Sequence, residues 1–219
     1  MTTNQYKAVV FDLDGTLLDT VQDIANAMNN VLEWHGFPLH DIASYRRFIG
    51  NGIPKLVYRA LPSEVSESVH YNKLLAEVID EYSKHLDIHT KLYPGIDELL
   101  TGLVKRGTRL AILSNKDDSF MDEVVATYLS QWEFEVVFGA RANTPVKPDP
   151  YSALEIAELM KLQPAEFIFL GDTSVDMLTA NNAGMHAVGA AWGFRGREEL
   201  YANGAELVID FPTDLLQLF

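Results

Sequence analysis

Two aspartates end the apolar run in the stretch VVFDLDGTLLDT (Val9–Thr20): Asp12 and Asp14, followed by Gly15 and Thr16. Like charges repel, and charged groups are rarely buried without a partner. Either the pair is a solvated Asp-Gly turn, or a cation meets it. Other polar groups also follow apolar runs: Ser114, Asn115 and Lys116 in LSNK, Lys147 in TPVKPDP, and Asp172 and Asp176 in GDTSVDM. Four carboxylates gathered at one place would raise one another's pKa values. A divalent cation and an ammonium group resolve that repulsion. With oxygen ligands only, Mg²⁺ is the expected metal, held by one or two carboxylates, waters and a phosphate oxygen.

The elements around these residues would bring them together. From Gly95 onward, short apolar runs alternate with amphipathic segments. RLAILS (Arg109–Ser114), FEVVFG (Phe134–Gly139), FIFLGD (Phe167–Asp172), HAVGAA (His186–Ala191) and ELVID (Glu206–Asp210) read as strands. Helices are expected near Asp97–Lys105, Ser119–Leu129, Pro150–Met160 and Asp176–Ala183, the first placed between Pro94 and Gly107. Alternation of this kind means crossover units and a parallel sheet, with ligands outside the carboxyl ends of its strands.

Between Val21 and Leu86 the pattern changes. DIANAMNNVLEWHGF, DIASYRRFIGNGIPKLVYRAL and SESVHYNKLLAEVIDEYSKHL all show helical spacing, with no convincing strand. The expected fold class is therefore α/β, a Rossmann-like parallel sheet core with an inserted α-helical cap domain after strand one. Residues 1–18 and 90–219 would form the core and residues 19–89 the cap, joined near Leu18–Val21 and Asp87–Tyr93.

FDLDGTLLDT, LSNK, KPDP and GDTSVDM, in this order, resemble the four motifs of the haloacid dehalogenase-like hydrolase superfamily. IGNG (Ile49–Gly52), DTVQDI, SNK and WGFRGREEL are most similar to its phosphoglycolate phosphatase branch. The resemblance implies Asp12 as nucleophile and Asp14 as acid and base, with Lys147 as the cation that helps Asp12 approach an anion. It implies Thr16, Ser114 and the Asn115 backbone as phosphate-binding groups. Asp12, the Asp14 carbonyl and Asp172 would hold Mg²⁺, with Asp176 bound through water or orienting its neighbours. Asp14 separates the chain from the dehalogenases proper, which lack an acid two residues after the nucleophile. The substrate side would use Arg46 (ahead of Arg47), Gly50, Asn51, Gly52 and Lys116, an arginine meeting a substrate carboxylate.

Plainer readings stand beside these. Lys147 could be a surface lysine, Ser114 a helix N-cap, and Asp176 a first-turn acid favoured by the helix dipole. SYRRFIGNG could be a helix with a solvated basic face, ended by Gly50. His85 and His89 have the spacing of one helix face but lack a third metal ligand, so they read as ordinary residues near the second linker. Trp34, Trp132 and Trp192 read as core or loop anchors, Trp192 near the site mouth.

Composition narrows the partners. The chain has 219 residues, 47% of them hydrophobic, no cysteine and a formal net charge of −14. Disulfides and thiolate metal sites are excluded. An acidic chain without basic blocks argues against nucleic acid or an anionic membrane as partner. Met1–Lys7 fits no signal peptide, and no apolar run approaches the roughly 18 residues of a membrane span. A cytoplasmic monomer or homodimer acting on a small phosphorylated metabolite is expected, with 2-phosphoglycolate first by resemblance. Pyrophosphatase, nucleotidase and sugar-phosphate phosphatase remain alternatives. A β-phosphoglucomutase-like mutase would carry a histidine where this chain has Val21, Gln22 and Asp23. A non-catalytic protein on the same scaffold would show a broken motif, and none is broken.

Overall fold

The structure, a computed structural model, describes residues 6–219. The start of the chain through Gln5, part of the stretch in which no signal peptide was expected, lies outside the described residues. Six strands form one parallel sheet: β1 (Ala8–Phe11), β4 (Arg109–Asp117), β5 (Val136–Ala140), β6 (Phe167–Gly171), β7 (His186–Ala190) and β8 (Leu207–Ile209). Their spatial order is β5-β4-β1-β6-β7-β8. Numbered by their order along the chain, this is 3-2-1-4-5-6, the doubly wound order, whose direction reverses at β1 and β6.

Strand β1 is central and wholly buried. Its alternate residues serve two apolar layers. Val9 and Phe11 join α6 (Ile96–Lys105) and α7 (Met121–Tyr128) on one face. Ala8 and Val10 join α8 (Tyr151–Leu159), α9 (Ser174–Ala183) and α10 (Arg197–Ala202) on the other. A strand covered on both faces reads as a continuous apolar run, as VVF does. Truncating Phe11 to alanine would cost about 3–5 kcal/mol.

The segment after β1 forms five helices: α1 (Val21–Trp34), α2 (Ile42–Phe48), α3 (Gly52–Ala60), α4 (Ser63–Ser66) and α5 (Tyr71–Ser83). They share an apolar cluster built on Met28, Val31, Leu32, Tyr45, Val57, Leu74 and Val78, joined by Phe120 and Phe194 from the sheet domain. The linkers into and out of the block pair as a short antiparallel ribbon, β2 (Leu18–Asp19) with β3 (Lys91–Leu92).

Several local expectations are corrected. The helix expected across Asp41–Leu61 is two helices, because the chain extends at Ile49 and then turns through Gly50 (φ 119°) and Gly52 (φ 80°). A residue with a Cβ is strained at both. The third helical stretch begins properly only at Tyr71 and ends at Ser83, so His85 and His89 do not share a helix face. Trp34 is 61% exposed at the end of α1 and anchors no core. β4 runs on to Asp117 with a register shift between Leu113 and Asp117, so Ser114 caps no helix. Among the described residues, no helix is long and apolar enough to cross a membrane.

Candidate active site

Asp12 follows β1 and Asp172 follows β6, the two adjacent strands at which the sheet order reverses. The Asp12 N–H donates to the Leu170 carbonyl at 2.9 Å, which fixes where the strand end delivers its carboxylate. Ser114, Asn115 and Lys116 project from the irregular stretch of β4, where an interrupted ladder re-aims side chains. Lys147 comes from the loop after β5, and Asp176 from the first turn of α9. Close backbone approach makes this convergence possible. A Cβ on Gly171 would stand 2.3 Å from the Asp176 Cβ, and one on Gly15 (φ 93°) 2.4 Å from the Asp172 Oδ2.

Lys147 Nζ lies 2.7 Å from Asp12 Oδ1 and 2.6 Å from Asp176 Oδ1. All three side chains are nearly sealed from solvent. Asp176 Oδ2 also accepts from the Thr173 N–H and hydroxyl, so this residue is a helix-capping acid and a partner of Lys147 at once. Asp172 accepts from the Thr16 hydroxyl at 3.1 Å and from the Phe194 N–H at 2.6 Å. The Thr16 hydroxyl is thus directed to a carboxylate, and Thr16 does not line the cavity described below. The Asn115 carboxamide donates to the Lys147 and Gly50 carbonyls and accepts from the Lys147 N–H. With its side chain so used, it holds the Lys147 backbone on both sides.

Burial pushes the Asp12 carboxyl up to about 7; the Asp176 charge adds to the rise and Lys147 opposes it. Burial also raises Asp172 well above the usual carboxylate range, with the charges of Asp12 and Asp176 adding to it. Burial disfavours the Lys147 cation, but Asp12 and Asp176 outweigh that cost and raise its pKa. Asp12, Asp172 and Asp176 each offer an oxygen within 4.8 Å of the others, a group that could hold a metal ion. If these three and Asp14 are all ionised, the two ammonium groups Lys147 and Lys116 leave two negative charges, which a divalent cation would balance. Without it, the raised Asp12 and Asp172 carboxyls relieve that charge by holding protons.

A cavity opens above Asp12, Asp14, Ser114, Lys116 and Lys147. Its opposite wall is apolar, made of Ile24, Ala27, Ile49, Ile53, Leu56 and Val78, with Gly50 and Gly52 at the edge. Lys116 is buried, its ammonium 3.3 Å from Asp14 Oδ1, hydrogen-bonded to the Tyr82 hydroxyl and 4.6 Å from that ring's centre. Asn51 and Arg46 do not line the cavity. Asn51 accepts from Arg59, and Arg46 donates to the Gly193 carbonyl. The arginine expected to face the substrate thus lies off the cavity lining, where Lys116 and Lys147 are the cations. Trp192 donates to the Thr16 carbonyl at 2.9 Å and so braces the first motif from behind. Tyr82 escaped the sequence reading. Its signal was the spacing Leu74, Val78, Tyr82, one helix face that continues the apolar wall.

A family model of haloacid dehalogenase-like hydrolases matches residues 9–190. The chain belongs to this family. Within it, this hydrolase lies in the phosphoglycolate phosphatase-like branch and is a phosphatase. It is 32% identical over 214 residues to a phosphoglycolate phosphatase of Psychrobacter arcticus, covering 94% of this chain and 92% of the relative. It is 31% identical over 225 residues to a phosphoglycolate phosphatase of Vibrio parahaemolyticus, covering 100% and 98% of the two chains. A solved structure of a predicted phosphoglycolate phosphatase from Haemophilus somnus superposes with a TM-score of 0.91 over 100% of this chain and 99% of that one. At 24% identity, that likeness speaks for the fold.

Proposed function

We propose that this phosphatase hydrolyses a small phosphate monoester carrying a carboxylate, 2-phosphoglycolate foremost, through an aspartyl phosphate on Asp12. The observation that carries the reading is the placement of the Asp12 carboxylate beside the Lys147 ammonium, 2.7 Å away, on the floor of a cavity shared with Asp14. An Asp12 oxygen attacks phosphorus, and the bond from phosphorus to the ester oxygen breaks. Asp14 gives its proton to that oxygen. In the second step Asp14 takes a proton from water, the water oxygen attacks phosphorus, and Asp12 leaves as a carboxylate.

Asp12, Asp172 and the Asp14 carbonyl would hold Mg²⁺, a fit supported by the uncompensated charge and the all-oxygen donor set. When bound, the ion neutralises charge on the phosphoryl oxygens. Asp176 orients Lys147 from behind, and Ser114 with the Asn115 N–H faces the phosphoryl group. The helical block acts as a cap that closes the cavity from water and reopens for release.

Lys116 supports the choice of a carboxylated leaving group, as the cavity's second cation beside Lys147. The apolar wall weighs against hexose phosphates, whose hydroxyls would lie unpaired against Ile24, Ile53 and Leu56. Phosphate release in Mg²⁺ should be measured on 2-phosphoglycolate, pyrophosphate, nucleoside monophosphates and hexose phosphates, with Asp12→Asn as the blank. The highest kcat/KM is expected for 2-phosphoglycolate; a higher value for a hexose phosphate or pyrophosphate would remove the substrate while keeping the chemistry.

A further inference from the structure

The loop from β7 to α10 carries three residues that reach from the sheet domain into the helical block. The Phe194 N–H donates to Asp172 Oδ2 at 2.6 Å, while its ring packs in the apolar cluster of the helical block. The Gly193 carbonyl accepts from Arg46 at 3.3 Å. Arg195 then lays its guanidinium across the end of α2. One Nη donates to the Arg46 carbonyl, and the other to the Arg47 carbonyl at 3.0 Å and the Ile49 carbonyl at 2.9 Å. Its Nε sits 3.3 Å from Glu199 Oε1, which steers the fork from the sheet side.

The carbonyls of the last helical turn lack intrahelical partners, and that end carries the negative pole of the helix dipole. A planar guanidinium with several fixed donors suits such a cluster better than an ammonium does. Arg195 therefore satisfies groups that α2 cannot satisfy itself. The next carbonyl along, that of Gly50, accepts from Asn115 at 3.1 Å. The chain at Ile49–Gly50 is held from both sides by residues of the sheet domain, and the same two residues line the cavity.

We propose that Arg195 is a positioning residue for catalysis: it clamps the end of α2 so that the Ile49–Gly52 loop stays closed over the substrate. This rests on the reading of the helical block as a cap over a phosphatase site. The clamp takes hold of backbone carbonyls rather than cap side chains. Residues on the apolar wall can therefore change without loosening it, which separates closure from substrate choice. Through Phe194, the same loop also touches Asp172, so closure and the carboxylate cluster share one short segment.

The test exploits the absence of cysteine. Spin labels on Val69→Cys in the cap and Lys105→Cys in the core, both exposed sites, report the distance between the two parts. The parent should show one narrow distance. Arg195→Ala should add a second population, and Arg195→Lys should lie between them. Arg197→Ala, which removes a pair to Asp210 on the core, should leave the distance unchanged. If the closed fraction falls to about one in ten, kcat/KM for 2-phosphoglycolate falls about tenfold with it. Arg195→Gln, which keeps the packed stem, serves if the alanine variant does not fold.

Identical distance distributions in parent and variants would overturn the clamp, whatever happens to turnover. A shifted distribution in the variants, beside a parent that releases no phosphate from 2-phosphoglycolate, would keep the clamp and sink the proposed substrate instead.

Discussion

The floor and the roof of the cavity are built on opposite physical terms. The floor is a set of charges at strand ends and on the loop and helix start beside them, each fixed by several partners: Asp172 by Thr16 and Phe194, Asp176 by Thr173 and Lys147, and Lys147 by Asp12, Asp176 and, at its backbone, Asn115. The roof offers Ile24, Ile53, Leu56 and Val78, which are apolar and make no directional bond to the floor. A directional, charged floor suits a reaction whose transition state is charged, since preorganised groups need no rearrangement as charge develops. An apolar roof excludes water and selects by shape. Damage to the floor should therefore remove turnover, whereas damage to the roof or its hinge should alter selectivity or stability.

The sharpest break in that contrast is Asp12→Asn. It keeps the shape of the floor and removes the nucleophile, and kcat should fall by about 10⁴-fold or more. Steady-state phosphate release in Mg²⁺ checks it; turnover near that of the parent would mean that Asp12 is not the nucleophile. Lys147→Met comes next. It leaves Asp12 and Asp176 facing each other without their shared cation, and removing one member of a buried pair costs about 3–5 kcal/mol. Turnover should drop by about 10²-fold or more, the scale of losing one preorganised donor. Urea denaturation beside the rate assay separates the two effects. A normal midpoint with normal turnover would return Lys147 to the status of a spectator.

Lys116→Met probes the border between floor and roof. Lys116 belongs to β4, yet its hydroxyl partner Tyr82 belongs to α5 in the roof. A hydrogen bond to a charged group is worth about 1.5–3 kcal/mol, so kcat/KM for 2-phosphoglycolate should fall about 10- to 100-fold. For p-nitrophenyl phosphate, which has no carboxylate, the fall should be smaller. Equal losses on both substrates would make Lys116 a partner of Asp14 alone.

The same contrast explains what could be read from the sequence. Floor residues lie within a few positions of strands whose apolar runs are short and unmistakable. Asp12 and Asp172 follow VVF and FIFLG directly, and parallel topology then brings them together. The roof was legible as apolar spacing and little more. Helical periodicity continues through Tyr45, Ile49, Ile53 and Leu56, so the break between α2 and α3 is marked only by Gly50 and Gly52. The direction of Arg46 was set by the Gly193 carbonyl, 147 residues away, and no local pattern encodes such a partner. Arg195 was hidden for the same reason. Its guanidinium serves carbonyls that exist as free acceptors only because α2 ends where it does.

The smallest expected effect lies at the seam between the two regions. Asp23, in the first turn of α1, is buried and accepts from the N–H groups of His89 and Thr90, the Thr90 hydroxyl and the His89 ring. One carboxylate thus ties the start of the helical block to its return linker. Burial alone would raise its pKa, but the bonds from His89 and Thr90 outweigh burial and hold it below the usual range. A carboxyl with a depressed folded-state pKa adds stability above its unfolded value of about 4, and that stability is lost as pH falls through the folded-state value. Asp23→Asn should therefore destabilise the protein at neutral pH by about 1–3 kcal/mol, the cost of leaving buried donors unmatched. The gap should narrow as pH falls below about 4, where the unfolded chain takes up a proton that the folded carboxyl still resists, and the folded carboxyl follows only at its lower value. Urea midpoints of both proteins across that range decide it. A gap that stays constant into acid would show that the shape of Asp23, and not its charge, secures the linker, and the seam would then belong with the roof rather than with the floor.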